Sequence, residues 1–159
     1  MQLLTFSVAG EPYAIESRRV VEVLPRVPAR PLPLAPDYLP GVFTYRGSLV
    51  PLVDLARRLG VAPSPERLST RVIVVDAAGG GGTVRLGLVA ENVVAVRSAD
   101  GAEASLPALA LPGAAFLDRI LRLGRDTVQL IDVDRLLPDE LVAGLLPAAA
   151  AVPPAEARP

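Results

Sequence analysis

Residues 41–55 read Gly41-Val42-Phe43-Thr44-Tyr45-Arg46-Gly47-Ser48-Leu49-Val50-Pro51-Leu52-Val53-Asp54-Leu55. Two short apolar segments flank Arg46 and Gly47, and Asp54 follows the second segment. Apolar runs of this length on either side of a Gly-containing dipeptide are typical of two β-strands joined by a tight turn. We therefore predict a β-hairpin with its turn at Arg46-Gly47 and an Asp at the end of its second strand.

The same pattern of short apolar runs and turn residues continues along the chain, and it predicts an all-β fold. Gly10-Glu11-Pro12 marks an early hairpin, and the glycine run at 79–82 marks another. The predicted strands lie near residues 3–8, 13–15, 20–27, 42–45, 49–53, 72–75, 84–89, 93–96, 120–123 and 128–131.

The chain contains an internal repeat. Residues 49–59 align with residues 127–137, and a weaker match sets residues 13–23 against residues 86–96. Two β units of about 60–70 residues would explain this order, and small barrels suit such units because closure removes exposed strand edges. Neither unit alone buries much apolar surface, so we expect the two to share a hydrophobic seam. We place the second barrel's start near residue 71.

Six prolines fall within residues 25–40, which predicts a surface crossing with one helical turn at 36–39. A C-terminal helix is predicted to begin at Pro138, where two acidic residues follow in the first turn. Pro147 is expected to end that helix and the folded domain, residues 1–147. Residues 148–159 are rich in Ala and Pro, and we predict a disordered tail there.

The composition restricts the possible functions. The 159 residues contain 16 basic and 17 acidic side chains, with no Cys, no His and no Lys. Disulfides, thiolate metal sites, Schiff-base chemistry and the commonest general base are therefore excluded. The near-neutral charge and scattered Arg residues argue against nucleic acid binding. We expect no enzymatic activity, no cofactor and no bound metal.

The apolar runs are too short for a membrane helix. Arg, Asp or Pro interrupts each of them before the roughly 20 residues that a span requires. The first six residues carry no basic segment or cleavage signal of a secretory leader. We therefore expect a cytoplasmic protein without direct membrane insertion.

Four segments stand in a recognisable order and spacing. They are Leu4-Thr5-Phe6-Ser7-Val8 with Gly10-Glu11-Pro12-Tyr13-Ala14-Ile15-Glu16, Val20-Val21-Glu22-Val23, Pro36-Asp37-Tyr38-Leu39-Pro40-Gly41 leading into the hairpin above, and Leu130-Ile131-Asp132-Val133-Asp134-Arg135-Leu136-Leu137. Together they resemble the CheW family, over residues from about 3 to 146. The resemblance implies two intertwined five-stranded SH3-like barrels that share a hydrophobic seam, with a short C-terminal helix.

CheW proteins are adaptors in chemosensory signalling arrays, so the resemblance implies binding without catalysis. It implies two partners: the hairpin tip of a methyl-accepting chemoreceptor, and the regulatory domain of a CheA-type histidine kinase, which packs barrel to barrel. Thr44 and Tyr45 stand where the family commonly has Asn and a small apolar residue. A Tyr there is closer to adaptors of surface-sensing or other alternative pathways. Residues 106–117 match poorly, which leaves the receptor open.

Five residues are predicted to bind a partner: Arg46, Val20, Glu22, Gly41 and Tyr45. Arg46 is the strongest candidate, because a guanidinium makes several directed bonds while its stem packs on apolar surface. Val20 and Glu22 share one side of a strand, either as core and solvent-facing residues or as part of a receptor-facing surface. Gly41 either exits a turn, which we favour, or lets a partner helix approach closely.

Asp54 and Asp132 occupy matching positions in the repeat. Paired carboxylates could act in acid–base catalysis, but each Asp precedes a helix-like stretch, where Asp is a preferred N-cap. We favour capping, since a repeated position indicates a repeated structural role. The glycines at 79–82 form a hairpin tip rather than a phosphate cradle, because a strand follows them. Two alternatives remain: a stand-alone β-barrel interaction domain, and a carboxylate hydrolase using Asp54 or Asp132.

Overall fold

A computed structural model describes residues 1–63, 67–99, 103–106 and 113–150, with side chains to residue 145 except in 103–106. The strands are β1 (Gln2–Val8), β2 (Glu11–Glu16), β3 (Val20–Pro25), β4 (Gly41–Tyr45), β5 (Ser48–Asp54), β6 (Thr70–Gly79), β7 (Gly82–Ser98), β8 (Glu103–Leu106), β9 (Leu117–Leu123) and β10 (Asp126–Ile131). The helices are α1 (Leu55–Arg58) and α2 (Asp139–Ala150), and single 3₁₀ turns lie at Ser17–Arg19 and Val133–Arg135. The predicted all-β fold with a short C-terminal helix is confirmed.

Strand pairing intertwines the two halves of the chain. The hydrogen-bonded order is β3-β6-β7-β1-β2-β10-β9-β8, and the β4–β5 hairpin joins it through β7. The first part of β7 pairs with β5 and β6, whereas its last residues pair with β1. The first barrel therefore consists of β3 to β6 and the start of β7. Strands β1, β2, β8, β9 and β10, with the end of β7, make the second.

The two strands predicted near 84–89 and 93–96 are in fact one strand, β7. Glu91 and Asn92 interrupt the apolar pattern, which led to the wrong division. Asn92 has a positive φ of 48°, and the pairing of β7 with β1 shifts register between Thr5 and Ser7. A bulge of this kind bends a strand without ending it.

Three apolar clusters fill the molecule, one inside each barrel and one between the barrels. Strand β6 serves two of them, since Val72 and Val74 face the first barrel's interior while Ile73 and Val75 face the cluster between the barrels. This alternation follows from the two-residue period of a strand. The expected shared seam is therefore present. The start of the second barrel near residue 71 stays a prediction. Strand β6 itself, which begins at Thr70, packs with the first barrel.

The internal repeat is visible as two equivalent caps. Asp54 and Asp132 each accept a hydrogen bond from the backbone amide two residues later, at 3.1 and 3.0 Å. Their own amides donate to the carbonyls of Tyr38 and Phe116, each at 2.8 Å. The side chains of both Asp residues are thus engaged as N-caps, which is the interpretation that the sequence favoured over acid–base catalysis.

Arg58 contacts both repeats at the seam. Its guanidinium carbon lies 5.0 Å from the ring centroid of Tyr38 and 4.3 Å from that of Phe116. Its Nε donates to the carbonyl of Leu136 at 2.7 Å. Burial lowers the pKa of Arg58, because desolvation disfavours the charged form. One side chain of the first unit therefore holds equivalent aromatic residues of both units.

Three expectations concern the segment before β4 and the C-terminal end of the chain. Residues 36–39, where a helical turn was predicted, form a single hydrogen-bonded turn instead, with Leu39 N–H donating to the Pro36 carbonyl at 3.0 Å. Pro147 does not end the C-terminal helix, which continues to Ala150. A proline within a helix costs one hydrogen bond and some bending, and the neighbouring Leu and Ala residues are strong helix formers. Residues 148–150 are therefore helical, and the rest of the predicted tail lies outside the described residues.

Strand β8 had no counterpart among the predicted strands, because its four residues, Glu-Ala-Ser-Leu, form only a short alternation without a β-branched or aromatic residue. It pairs with β9 at the end of the sheet. No helix among the described residues is long and apolar enough to span a membrane.

Replacing either capping Asp with Ala should lower the free energy of unfolding by about 1 kcal/mol, since the helical turn loses an acceptor for an otherwise unpaired amide. Asp54→Asn and Asp132→Asn are the matched controls, because Asn caps a helix about as well as Asp. Urea unfolding of the four variants would measure the difference. Equal losses for the Ala and Asn variants would contradict the capping role.

Candidate partner-binding site

The hairpin turn predicted at Arg46-Gly47 is confirmed. Tyr45 pairs with Ser48, so Arg46 and Gly47 form a two-residue turn. Their φ angles are +47° and +81°, as a type I′ turn requires. Gly47 adopts this region freely, whereas a left-handed conformation costs Arg46 roughly 1–2 kcal/mol. The positive φ of Arg46 therefore follows from the geometry of the turn.

Three of the predicted site residues meet at this turn. The hydroxyl of Tyr45 donates to Oε1 of Glu22 at 2.5 Å, and Nη2 of Arg46 donates to the same oxygen at 3.0 Å. The guanidinium of Arg46 also lies 5.1 Å from the centroid of the Tyr45 ring. The side chains of Arg46 and Glu22 are 67% and 40% exposed, so the pair faces solvent. We call these three residues the hairpin network.

The hairpin network ties together two edge strands of the first barrel. Among the described residues, β3 pairs only with β6, and β4 pairs with β5 and with an isolated bridge at Arg30. Glu22 of β3 reaches Tyr45 at the end of β4 and so links the two edges through side chains. The Arg30–Val42 bridge holds the beginning of β4, with hydrogen bonds of 2.8 and 2.9 Å.

Tyr45 is a buried residue with two guanidinium groups near its ring. The hydrogen bond to Glu22 raises the pKa of Tyr45, and burial adds to that effect, while Arg46 and Arg85 oppose it. The guanidinium of Arg85 lies 5.8 Å from the centroid of the ring. Arg85 is itself held by both oxygens of Asp76, at 2.8 and 3.2 Å. The phenol is therefore stabilised in its protonated, hydrogen-bond-donating form.

Asp76 and Arg85 did not feature among the predicted site residues, although a sequence signal for them exists. They lie opposite each other on the hairpin whose tip is formed by residues 79–82. Opposite charges at equal distances from a hairpin turn form a cross-strand pair. The proximity of Arg85 to Tyr45 could not have been found in this way, because the two residues belong to different hairpins.

Val20 does not join the hairpin network. It is partly buried and packs against the seam, and the pairing of β3 with β6 shifts register between Val20 and Glu22. Only Glu22 reaches the β4–β5 turn.

Gly41 lies at the opposite end of β4 from Arg46, and it is buried. A Cβ atom at this position would stand 2.2 Å from the carbonyl oxygen of Arg30. The backbones of these two segments can approach only because Gly41 lacks a side chain. This packing within the chain accounts for the glycine, rather than the turn that the sequence favoured.

The described residues contain no group of three or more His, Cys, Asp or Glu side chains that could hold a metal ion. The carboxylates at the site are engaged by hydroxyl and guanidinium donors. The arrangement presents a fixed, partly exposed Arg–Glu pair over an aromatic ring, which is suited to recognising another protein.

Comparisons with known proteins bear on the family of the chain. A family model described as "CheW-like domain" matches residues 2–141. The chain is 26% identical over 144 residues to the chemotaxis protein CheW of Treponema pallidum, covering 85% of this chain and 81% of that protein. It is 28% identical over 141 residues to protein FrzA of Myxococcus xanthus, covering 86% and 84%.

A solved structure shares the fold. The crystal structure of the scaffolding protein TtCheW from Thermoanaerobacter tengcongensis superposes with a TM-score of 0.71 at 24% identity. The match covers 86% of this chain and 87% of that one. The predicted pair of SH3-like barrels is therefore confirmed.

The raised pKa of Tyr45 predicts a loss of stability in alkali. A phenol whose pKa is higher in the folded than in the unfolded state contributes stability that is fully present below pH 10. That contribution is lost as the pH rises through the folded-state pKa. Because the chain has no Lys, Cys or His, tyrosines dominate titration in this range.

Comparison of wild type with Tyr45→Phe isolates this effect from that of Tyr13, whose pKa burial also raises. We expect the unfolding free energy of wild type to fall more steeply above pH 10 than that of Tyr45→Phe. Urea unfolding at several pH values would measure both slopes. Parallel curves would mean that the Tyr45–Glu22 hydrogen bond contributes nothing measurable.

Substitution Gly41→Ala should destabilise the fold by about 1–3 kcal/mol, because the added methyl group collides with the Arg30 backbone. Thermal unfolding would measure the loss. Gly82→Ala is the matched control, since nothing lies within 4 Å of a Cβ there. A fully stable Gly41→Ala variant would contradict the packing role and favour a direct role in binding.

Proposed function

The chain belongs to the family of CheW-like domains, and on that basis we propose that it couples chemoreceptor tips to a CheA-type histidine kinase. The observation that carries this proposal is a family match over residues 2–141, which includes both barrels. Relatives named as chemotaxis and scaffolding proteins support the same role. In this role the protein binds and transmits, and it catalyses no reaction.

The receptor-binding surface in this proposal is centred on Arg46. Its contact with Glu22 involves Nη2, one of several donor groups of a guanidinium. Glu22 and the Tyr45 ring hold the side chain near one orientation, which lowers the entropy lost when a partner binds. A receptor's helical hairpin tip could thus accept directed bonds from a preorganised Arg. Tyr45 contributes by positioning Glu22.

Val20 and Gly41 have different parts in the proposal. Val20 lies where β3 meets the seam and would extend the receptor-facing surface with an apolar contact. Gly41 would act indirectly, by fixing the start of β4 against Arg30. Both assignments remain predictions.

The kinase partner would bind elsewhere. We expect its CheW-like regulatory domain to pack barrel to barrel against this chain, in the cytoplasm, without nucleic acid or insertion into a membrane. The Tyr at position 45 favours an alternative pathway, such as surface sensing, over flagellar chemotaxis.

The primary test is the binding of the purified chain to a receptor cytoplasmic hairpin and, separately, to a CheA-type regulatory domain. Arg46→Glu should weaken receptor binding by more than about 1 kcal/mol and leave kinase binding unchanged, because it reverses the charge of the central anchor. Isothermal titration would measure both affinities, and circular dichroism would verify the fold.

Arg125→Glu is a matched control, since Gly124-Arg125 forms the turn of the corresponding hairpin in the second repeat. It should leave receptor binding intact. Equal affinities of wild type and Arg46→Glu for the receptor would refute the site. Binding of extended peptides in place of both partners would instead favour a stand-alone interaction domain.

A further inference from the structure

A second group of charged side chains lies where three distant segments of the chain meet. Arg19, at the end of the first 3₁₀ turn, makes a bidentate contact with Asp134 of the second 3₁₀ turn. Nη1 lies 2.9 Å from Oδ1, and Nη2 lies 2.6 Å from Oδ2. The two side chains are only 25% and 29% exposed. Parallel bonds of this type are strong and strictly directional.

This ion pair also binds the backbone of β6. Oδ1 of Asp134 accepts from the amide of Ala78 at 2.7 Å, and Nη1 of Arg19 donates to the carbonyl of Asp76 at 3.4 Å. Strand β3 pairs with β6 only as far as Val75. Beyond Val75, the side chains of residues 19 and 134 therefore supply the hydrogen-bond partners of the β6 backbone that β3 supplies before it. We call Arg19, Asp134 and the backbone of residues 76–78 the clasp.

The clasp is connected to the hairpin network. The carboxylate of Asp76 holds Arg85, whose guanidinium lies beside the ring of Tyr45. Tyr45 and Arg46 share one oxygen of Glu22. A series of side-chain interactions, completed by the backbone of residues 76–78, therefore leads from the exposed turn of the first barrel to Asp134. That residue lies two positions after the capping Asp132, to which its amide donates, and it belongs to the second repeat.

We propose that the clasp couples the Arg46 surface to the second barrel, with Arg19 and Asp134 as positioning residues. The inference rests on the proposed function, because it concerns how binding at one surface affects the other. Coupling requires an element whose state both sites influence. A partner that binds the free donors of Arg46 alters how Arg46 and Tyr45 share Oε1 of Glu22, and so the position of the Tyr45 ring beside Arg85. The end of β6, and with it Asp134, would then shift.

The apolar seam is less suited to this task. Apolar contacts are non-directional, so a small displacement changes their energy gradually. A bidentate ion pair depends on the alignment of two donors with two acceptors, and small displacements disturb it. The clasp is therefore the part of the interface between the repeats that responds most sharply to movement of β6.

A first experiment needs no partner. In ¹H–¹⁵N spectra, Arg46→Ala should shift the amide resonance of Arg135, which lies beside the clasp in the second repeat. The same substitution in an Arg19→Ala background should leave that resonance in place, because the connection is broken. Arg97→Ala is the matched background, since the Arg97–Asp126 pair lies in the second barrel away from β6. If Arg46→Ala leaves the Arg135 amide resonance unshifted when the clasp is intact, the proposal is overturned.

A second experiment uses both partners. The affinity for a receptor cytoplasmic hairpin is measured with and without a saturating CheA-type regulatory domain. We expect wild type to show a change of about fivefold or more, within the usual range of coupling. Arg19→Lys and Asp134→Asn should reduce it to less than about twofold. The affinity for the receptor hairpin alone should stay unchanged, because neither residue belongs to the hairpin network. Arg97→Ala should behave as wild type.

The outcomes separate the two proposals. Unchanged coupling in Arg19→Lys and Asp134→Asn, or no coupling in wild type, would refute the clasp while leaving the adaptor function intact. A purely structural role would lower the melting temperature of these variants without altering the coupling factor, and would also refute it. Failure to bind either partner would refute the adaptor function, and the spectra would then decide on the clasp alone.

Discussion

Burial of strand β6 on both faces is the constraint on which the rest of the structure depends. Val72 and Val74 fill the first barrel, while Ile73 and Val75 fill the seam. Each such side chain contributes about 1.5–3 kcal/mol by leaving water. A strand without a solvent-facing side also needs backbone partners on both edges, since unpaired buried amides are costly. Strands β3 and β7 supply these partners. Beyond Val75, where β3 no longer lies beside β6, the side chains of Arg19 and Asp134 bond to the β6 backbone instead.

Features that depend on neighbouring residues could be predicted from the sequence. The Arg46-Gly47 turn and the caps at Asp54 and Asp132 were found because a turn or a cap involves only a few consecutive residues. The same local reasoning failed where tertiary packing overrides it. Asn92 bends β7 without breaking it, and Pro147 lies inside α2. In both places a local breaker was given more weight than the surrounding structure.

The site was only partly predictable, because its contacts join segments that are distant in sequence. Arg46, Glu22 and Tyr45 were each selected, but their common hydrogen-bonded network depends on β3 and β4 being adjacent edges of one barrel. The reason for Gly41 is the backbone of Arg30, which no pattern reveals. In the clasp, Arg19 and Asp134 are 115 positions apart and belong to no common motif. Only the folded chain shows that they meet.

The differences between the two repeats bear on how a duplicated fold could serve two different partners. Equivalent caps at Asp54 and Asp132 preserve the frame, and Arg58 contacts matching aromatic residues of both units. The exposed turns differ, since Arg46-Gly47 in one corresponds to Gly124-Arg125 in the other. Two identical surfaces would compete for the same partner. A common frame with unlike surfaces instead allows simultaneous binding, and a directional contact between the units then allows one surface to affect the other.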